Sequence, residues 1–287
     1  MRELLTADDL FSHLLIMRGV SDKKFILVEG DDDCGLIDPH LNADVCETLP
    51  SGGKTVVLGA AELAEKQGMT GVGVVLDLDW SDLLYPRIVK PYVFYTDSYD
   101  IDATAYAVDQ NVVGFVVNQS DRDRLRSLVP KDSARTLSAV AKEVAHAVGV
   151  IRFLSEKFRW ELKMREFPTH LAITDDVKVD IEKIVEVSLQ RSPNASVAKE
   201  DVLAEFRKHA PSVSDRFRYC SGHDLLSAVA ALLRKVGGQV SAKSAGIALR
   251  SAFGCNSVAQ SSLFQSIHSW GARQGCAILD CVPVQDS

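Results

Sequence analysis

Two mostly apolar stretches that end abruptly in acids constrain this chain more than anything else in it. One runs Phe25-Ile26-Leu27-Val28-Glu29-Gly30 and continues into Asp31, Asp32 and Asp33; the other runs from Val72 through Leu76 into Asp77, Leu78 and Asp79. Short continuous apolar runs read as strands buried on both faces of a parallel sheet. In open α/β sheets the carboxyl ends of such strands are where ligands bind. Several carboxylates crowded there repel and raise each other's pKa unless a positive charge lies among them. A hard divalent cation, Mg²⁺ or Mn²⁺, suits an all-oxygen donor set.

The spacing carries the same expectation. Residues i and i+2 of an extended chain point the same way, so Asp77 and Asp79 are expected to share a direction. Gly30 is read as the turn out of the first strand, and Asp33 falls in the first turn of the following helix, where an acid suits the helix dipole. The structural alternative is that Asp31, Asp32 and Asp33 cap that helix while Asp77 and Asp79 solvate a loop. Both motifs in this order, each behind a buried strand, favour a metal site.

A chain of 287 residues with 46% hydrophobic and 25% charged residues has ample material for one large or two modest cores. The start, Met1-Arg2-Glu3, shows no secretory leader, and no apolar run is long enough to cross a bilayer, Val112–Val117 being only strand-length. A cytoplasmic protein is expected. Its six cysteines, Cys34, Cys46, Cys220, Cys255, Cys276 and Cys281, form no CxxC pair and no zinc-site spacing, so reduced thiols are expected. A net charge of −7 argues against a broadly basic nucleic-acid surface. It leaves room for a nuclease in which metal and a few arginines hold one phosphodiester.

Along the chain, Thr6 caps a helix carrying Leu10, Phe11, Leu14 and Leu15, expected to pack on the sheet. Strand Phe25–Glu29 is followed by a helical turn to Ile37 and a second strand over Asp44–Leu49. Pro50-Ser51-Gly52-Gly53-Lys54-Thr55 lacks the first glycine of a Walker loop, Thr48 standing there, and reads as a turn opening a helix with Val56, Val57, Ala60 and Leu63 inward. Lys54 at that helix start is a candidate phosphate contact. Strands Val72–Asp77 and Tyr92–Tyr95 complete the sheet, the latter ending in Asp97, Asp100 and Asp102. For Asp102, capping of the next helix and metal ligation stand equally open. Strand–helix alternation to this point predicts a parallel α/β sheet flanked by helices.

Beyond about Ser120 the pattern turns helical. Helices are expected over Ser133–Lys163, Val177–Gln190, Ser196–His209, His223–Val236, Ser241–Phe253 and Ser262–Arg273. The division expected is residues 1–118 as the catalytic domain and 119–287 as a mostly helical domain for partner binding or dimerisation.

An apolar strand ending in Glu29-Gly30 with Asp33, the Gly53-Lys54 turn, and a strand ending in Asp77-Leu78-Asp79 resemble the TOPRIM domain. That domain is shared by type IA and II topoisomerases, bacterial-type primases and OLD-family nucleases. Asp33 resembles the OLD branch. The segments Tyr95–Asp102 and Ser221-Gly222-His223-Asp224-Leu225 resemble TOPRIM effectors of bacterial anti-phage defence, among them the AriB subunit of the PARIS system. Asp102-Ala103 departs from that group, where Glu-Asn is expected.

The resemblance implies a magnesium-dependent endonuclease, the toxic effector of a defence system, cutting RNA such as tRNA, or DNA. It also implies control by an ABC-type ATPase and a homo-oligomer when active. On that reading Glu29 is ligand or general acid/base, Asp77 and Asp79 hold one Mg²⁺, and Asp33 with Asp100 or Asp102 holds or orients a second. His223 is read as packing at a helix start, with catalytic assistance as the alternative. Two other functions stay open: a haloacid-dehalogenase-like phosphatase with Asp77 as nucleophile, and a non-catalytic module that binds an ATPase.

Overall fold

The computed structural model describes residues 6–129, 131–210 and 215–281. The start of the chain, on which the expected lack of a leader turns, lies outside them. Two compact units divide the chain. One comprises residues up to Leu78, Arg87–Asp97 and everything from Phe253; the other comprises Asp79–Pro86 and Ser98–Ala252.

The first unit begins with α1 (Ala7–Val20), followed by β1 (Lys24–Val28), α2 (Asp31–Ile37), β2 (Cys46–Pro50), α3 (Lys54–Lys66), β3 (Val72–Leu76) and β4 (Val93–Tyr95). The four strands form one sheet in the order β2-β1-β3-β4, every pair parallel. All of β3, and β1 from Phe25 to Val28, are buried, as expected of strands covered on both faces. Thr6 and Asp9 cap α1 reciprocally: the Asp9 carboxylate accepts the Thr6 N–H at 2.9 Å and the Thr6 hydroxyl accepts the Asp9 N–H at 3.2 Å.

Leu10 and Leu14 of α1 and Val57, Ala60, Ala61 and Ala64 of α3 pack with Phe25, Leu27, Val74 and Leu76. Leu15, expected inward, is 49% exposed. One residue advances a helix by about 100°, which carries Leu15 beyond the edge of the stripe set by Leu10 and Leu14. Val56 and Leu63 of α3 are likewise only partly buried. Alanines take the inward positions there and bring α3 close to the sheet.

The second unit is helical: α4 (Ile101–Tyr106), α5 (Asp109–Gln119), α6 (Arg122–Leu128), α7 (Ser133–Phe158), α8 (Ile181–Gln190), α9 (Lys199–His209), α10 (Gly222–Lys235) and α11 (Ala242–Ser251). Val112–Val117 lies inside α5, with Val112 and Val116 on one buried face, four residues apart. The long helix α7 is buried along most of its length and packs against α5 and α10. It stops short of Lys163 because Arg159 turns left-handed, φ 57°, and the Trp160 N–H returns to the Ser155 carbonyl at 2.9 Å. Similarly α8 starts at Ile181 rather than Val177, since Val177 has φ 59° in a turn and Asp180 caps the helix through the Lys183 N–H.

The last helices, α12 (Cys255–Gln260) and α13 (Ser262–Arg273), return to the first unit. There Trp270 of α13 meets Phe94 of β4 with ring centroids 5.7 Å apart. Residues 119–287 are therefore not one body: the chain from Phe253 serves the sheet unit, while Asp79–Pro86 and the stretch from Ser98 belong with the helices. Amphipathic spacing marks an apolar face but does not say which surface will cover it.

Cys255 and Cys281 are joined as a disulfide, correcting the expectation of six reduced thiols; Cys34, Cys46, Cys220 and Cys276 are free. The pairing spans 26 residues and follows from backbone geometry. Leu41 and Leu279 form an antiparallel bridge, which brings the segment after α13 back to the segment before β2. Among the described residues no helix is long and apolar enough to cross a membrane.

Candidate functional site

Because all four strands run the same way, β1 and β3 deliver Glu29 and Asp77 to the same edge of the sheet. The Glu29 carboxylate accepts the Asp77 backbone N–H at 3.0 Å. Lys54, the first residue of α3, donates from Nζ to the Asp77 carbonyl at 3.1 Å. Three sequence motifs thus meet around one residue. The turn delivering Lys54 depends on glycines: Gly52 has φ 88° and Gly53 φ 146°, conformations that side chains disfavour. Gly52 also donates its N–H to the Glu29 carbonyl at 2.9 Å, tying that turn to the tip of β1.

Gly30 has φ −152°, extended backbone that any residue adopts, so the exit from β1 does not need a glycine. The chain turns there because Asp33 reaches back: its Oδ2 accepts the Gly30 N–H at 2.8 Å, and the side chain is buried. Asp33 therefore closes the first turn of α2 and fixes the loop that carries Glu29. At the end of β4 the Thr96 hydroxyl accepts the Leu78 N–H at 2.9 Å, a positioning contact that the sequence pattern did not suggest. Asp97 accepts the Leu263 N–H at 2.9 Å, which assigns it to α13.

Glu29 and Asp77 offer only carboxylate oxygen, a donor chemistry that suits Mg²⁺ or Mn²⁺ and not a thiophilic ion, while among the described residues no three acids bring their oxygens within 4.8 Å of one another. Each carboxylate carries two oxygens with several acceptor positions, so Glu29 can accept the Asp77 N–H and still offer oxygen to a cation.

In the second unit Asp79 adopts φ 44° and donates its N–H to the Tyr99 carbonyl at 2.8 Å. The rule that would aim Asp77 and Asp79 alike holds only for extended chain, and here the chain has left that conformation. Asp100 caps α4 by accepting the Ala103 N–H at 2.8 Å, and with its other oxygen accepts the Gly222 N–H, also at 2.8 Å. Burial pushes its carboxyl up to about 7 against those two N–H donors, with the Asp102 and Asp79 charges adding to the rise. Asp102 is ion-paired with Arg250, which is itself 7% exposed. Of the two readings open for Asp102, capping falls instead to Asp100, and the charge of Asp102 is met by an arginine 148 residues away.

The segment Ser221–Asp224 opens α10. His223 points to the surface, while Asp224 is sealed from solvent and accepts from the Arg152 guanidinium at 2.6 Å. Beside this pair lies a cavity of about 770 Å³ whose wall includes Arg152, Lys163, Arg165, Arg191 and His223, with Glu166 the one acid among its lining residues. Arg191 donates to the carbonyls of Arg165 and Glu166, at 2.8 and 3.2 Å, so the backbone of that wall is pinned. Tyr99 and Ser221, the chain neighbours of Asp100 and Gly222, also line it. A cationic hollow next to buried acids is a place for an anion that the rest of an acidic protein would repel. Sequence reading missed it because its cations come from α7, the residue that ends α8 and an irregular loop, with no run of charge to mark them.

Compared with known proteins, the chain matches no family model and no curated sequence.

Proposed function

We propose that this protein is a metal-dependent TOPRIM-type endonuclease that hydrolyses phosphodiester bonds in RNA, tRNA included, or in DNA. The observation that carries the reading is the meeting of Glu29, Lys54 and Asp77 at the carboxyl edge of a parallel sheet. Glu29 and Asp77, oriented by Asp33, would hold Mg²⁺ or Mn²⁺. When bound, the ion supplies hydroxide near neutral pH and neutralises charge developing on phosphorus. Lys54, held on the Asp77 carbonyl, adds a positive charge beside the acids for a phosphate oxygen. Glu29 would accept a proton from attacking water or fix the ion.

The basic cavity of the second unit is suited to nucleic-acid phosphates, which supports a nucleic-acid substrate over a small phosphomonoester. A phosphatase built on Asp77 alone would have no use for a glutamate supplied by the adjacent strand. We extend the proposal to the role that the motifs suggest: a cytoplasmic toxic effector of anti-phage defence, controlled by an ABC-type ATPase and homo-oligomeric when active.

The test is cleavage of tRNA, single-stranded DNA and duplex DNA by the purified full chain with Mn²⁺ or Mg²⁺, alone and with the ATPase subunit, beside the Glu29→Gln variant. Cleavage by the wild type, abolished by chelator and by Glu29→Gln, is expected. Equal inertness of the two proteins on every polymer under all those conditions overturns the reading.

A further inference from the structure

A second constellation lies within the sheet unit, and the proposed nuclease makes no use of it. His40, Cys255 and Cys281 bring one nitrogen and two sulfurs to within 4.8 Å of one another. The Nδ1 of His40 is 3.4 Å from the Cys281 sulfur. In a tetrahedral zinc site, Zn–S and Zn–N bonds of ordinary length leave sulfur and nitrogen about 3.6 Å apart. The histidine and one cysteine already stand at ligand separation.

The backbone contributes to that spacing through contacts separate from the disulfide. Asn42 donates its N–H to the Ile278 carbonyl at 2.7 Å, and Asp280 donates to the His40 carbonyl at 2.9 Å, on either side of the Leu41–Leu279 bridge. Those main-chain contacts seat Cys281 beside His40. The imidazole is 5% exposed and packed edge-on against Phe264, centroids 5.4 Å apart, with Phe253 at 6.1 Å. Two phenyl rings thus fix its plane, and an apolar surround favours the neutral imidazole that binds metal. Cys255 is exposed at the start of α12, leaving one side open to solvent. The Cα atoms of the two cysteines are 5.3 Å apart, close enough for side-chain rotation to let the sulfurs either bond or grip one ion.

We propose that His40, Cys255 and Cys281 form a site for a thiophilic divalent cation, with zinc as its occupant, and that the disulfide is the metal-free oxidised form of the same site. Conversion balances simply. Two low-molecular-weight thiols give two electrons and two protons to the disulfide, becoming a disulfide themselves and leaving Cys255 and Cys281 as thiols. The cation then displaces both thiol protons. Two thiolates, one imidazole and a water make four ligands, a donor set that selects zinc over magnesium. Occupied, the site would tie Cys281 and the start of α12 to the segment preceding β2 under reducing conditions, whereas the disulfide joins only Cys255 to Cys281.

The experiment uses the full chain treated with a water-soluble phosphine, which becomes its oxide as the disulfide is reduced. After reduction under native conditions, the thiol titre read in denaturant, where the buried Cys46 and Cys220 also react, should rise from four to six. Equilibrium dialysis should then find one equivalent of Zn²⁺, and Co²⁺ in its place should give thiolate-to-metal charge-transfer absorption. Cys255→Ser with Cys281→Ser should lose both signals, and His40→Ala should weaken Zn²⁺ binding about tenfold or more. Cys255→Ser alone, a change at an exposed position, serves if the double variant does not fold. No zinc uptake by the reduced wild type, a titre that stays at four, or undiminished uptake by the cysteine variants would overturn the proposal.

Discussion

The Glu29 carboxylate takes the backbone N–H of Asp77 at 3.0 Å across 48 residues of sequence, joining the tips of two parallel strands. A glutamate side chain committed to the main chain of the next strand has little freedom. Its charge is held where Asp77 and Lys54 already are.

That contact separates charge from structure in a test. Glu29→Gln keeps an amide oxygen for the Asp77 N–H and should melt near the wild-type temperature. Its Mn²⁺-dependent cleavage should fall by about 100-fold or more, since even outer-shell partners of a metal cost about 10- to 100-fold. Parallel cleavage assays and thermal melts check both halves.

Gly222 should tolerate no side chain. A Cβ there would lie 2.2 Å from the Asp102 Cβ and 2.6 Å from an Asp100 oxygen, and its N–H is one of the two donors to Asp100. Gly222→Ala is expected to cost about 2–3 kcal/mol as an overpacked site. Gly114→Ala, whose Cβ meets nothing within 4 Å in α5, should be neutral or slightly stabilising. Urea unfolding of the two variants measures the contrast.

The buried pair of Arg152 and Asp224 should behave asymmetrically. Removing Asp224 alone strands a largely buried guanidinium and is expected to cost about 3–5 kcal/mol, whereas Arg152→Met with Asp224→Leu should recover most of it. The double-mutant cycle in denaturant reads the coupling.

Acid should unsettle the protein through His146. Burial, assisted by the nearby Arg216 charge, lowers its pKa to about 4. The unfolded chain takes up that proton near pH 6.5, where free histidine titrates, and the folded chain does not, so the unfolded state binds more protons between about 6.5 and 4. The contribution to stability is full above that window and is lost as pH falls through it. His146→Leu should flatten the decline, as seen in unfolding midpoints recorded across the window.

If the cationic cavity holds nucleic-acid phosphates, Lys163→Ala with Arg165→Ala should weaken RNA binding at low salt. The slope of log affinity against log salt should drop by about 0.7 for each single-strand phosphate that the variant no longer neutralises. An unchanged slope would place the polymer elsewhere.

The sheet was legible because the chemistry that builds it is local. Strands buried on both faces must be apolar throughout, so Phe25–Val28 and Val72–Leu76 declared themselves, and the acids following them marked the edge where Glu29 and Asp77 meet. Helix periodicity likewise foretold α7, α8, α10 and α13, with left-handed backbone at Arg159 ending α7 early and at Val177 delaying the start of α8.

Partnership over distance was not legible. Nothing in the sequence ties Arg250 to Asp102, or His40 to Cys281, because an ion pair or thiol contact needs only that the fold deliver two groups to one place. The same reasoning explains α13: its apolar stripe was plain, but the surface of Phe94 that receives Trp270 exists only once β4 has joined the sheet. Sequence alone determined the four strands, their acidic tips and the longer helices, since each follows from the side chains of a few neighbouring residues, whereas the shorter helices α6 and α12 carried too few periodic residues to show. Tertiary structure alone decided that Asp79 parts from Asp77 in backbone conformation, that Asp102 meets an arginine, and that two distant cysteines meet one histidine. Those outcomes depend on the path of the whole chain, which no short stretch encodes.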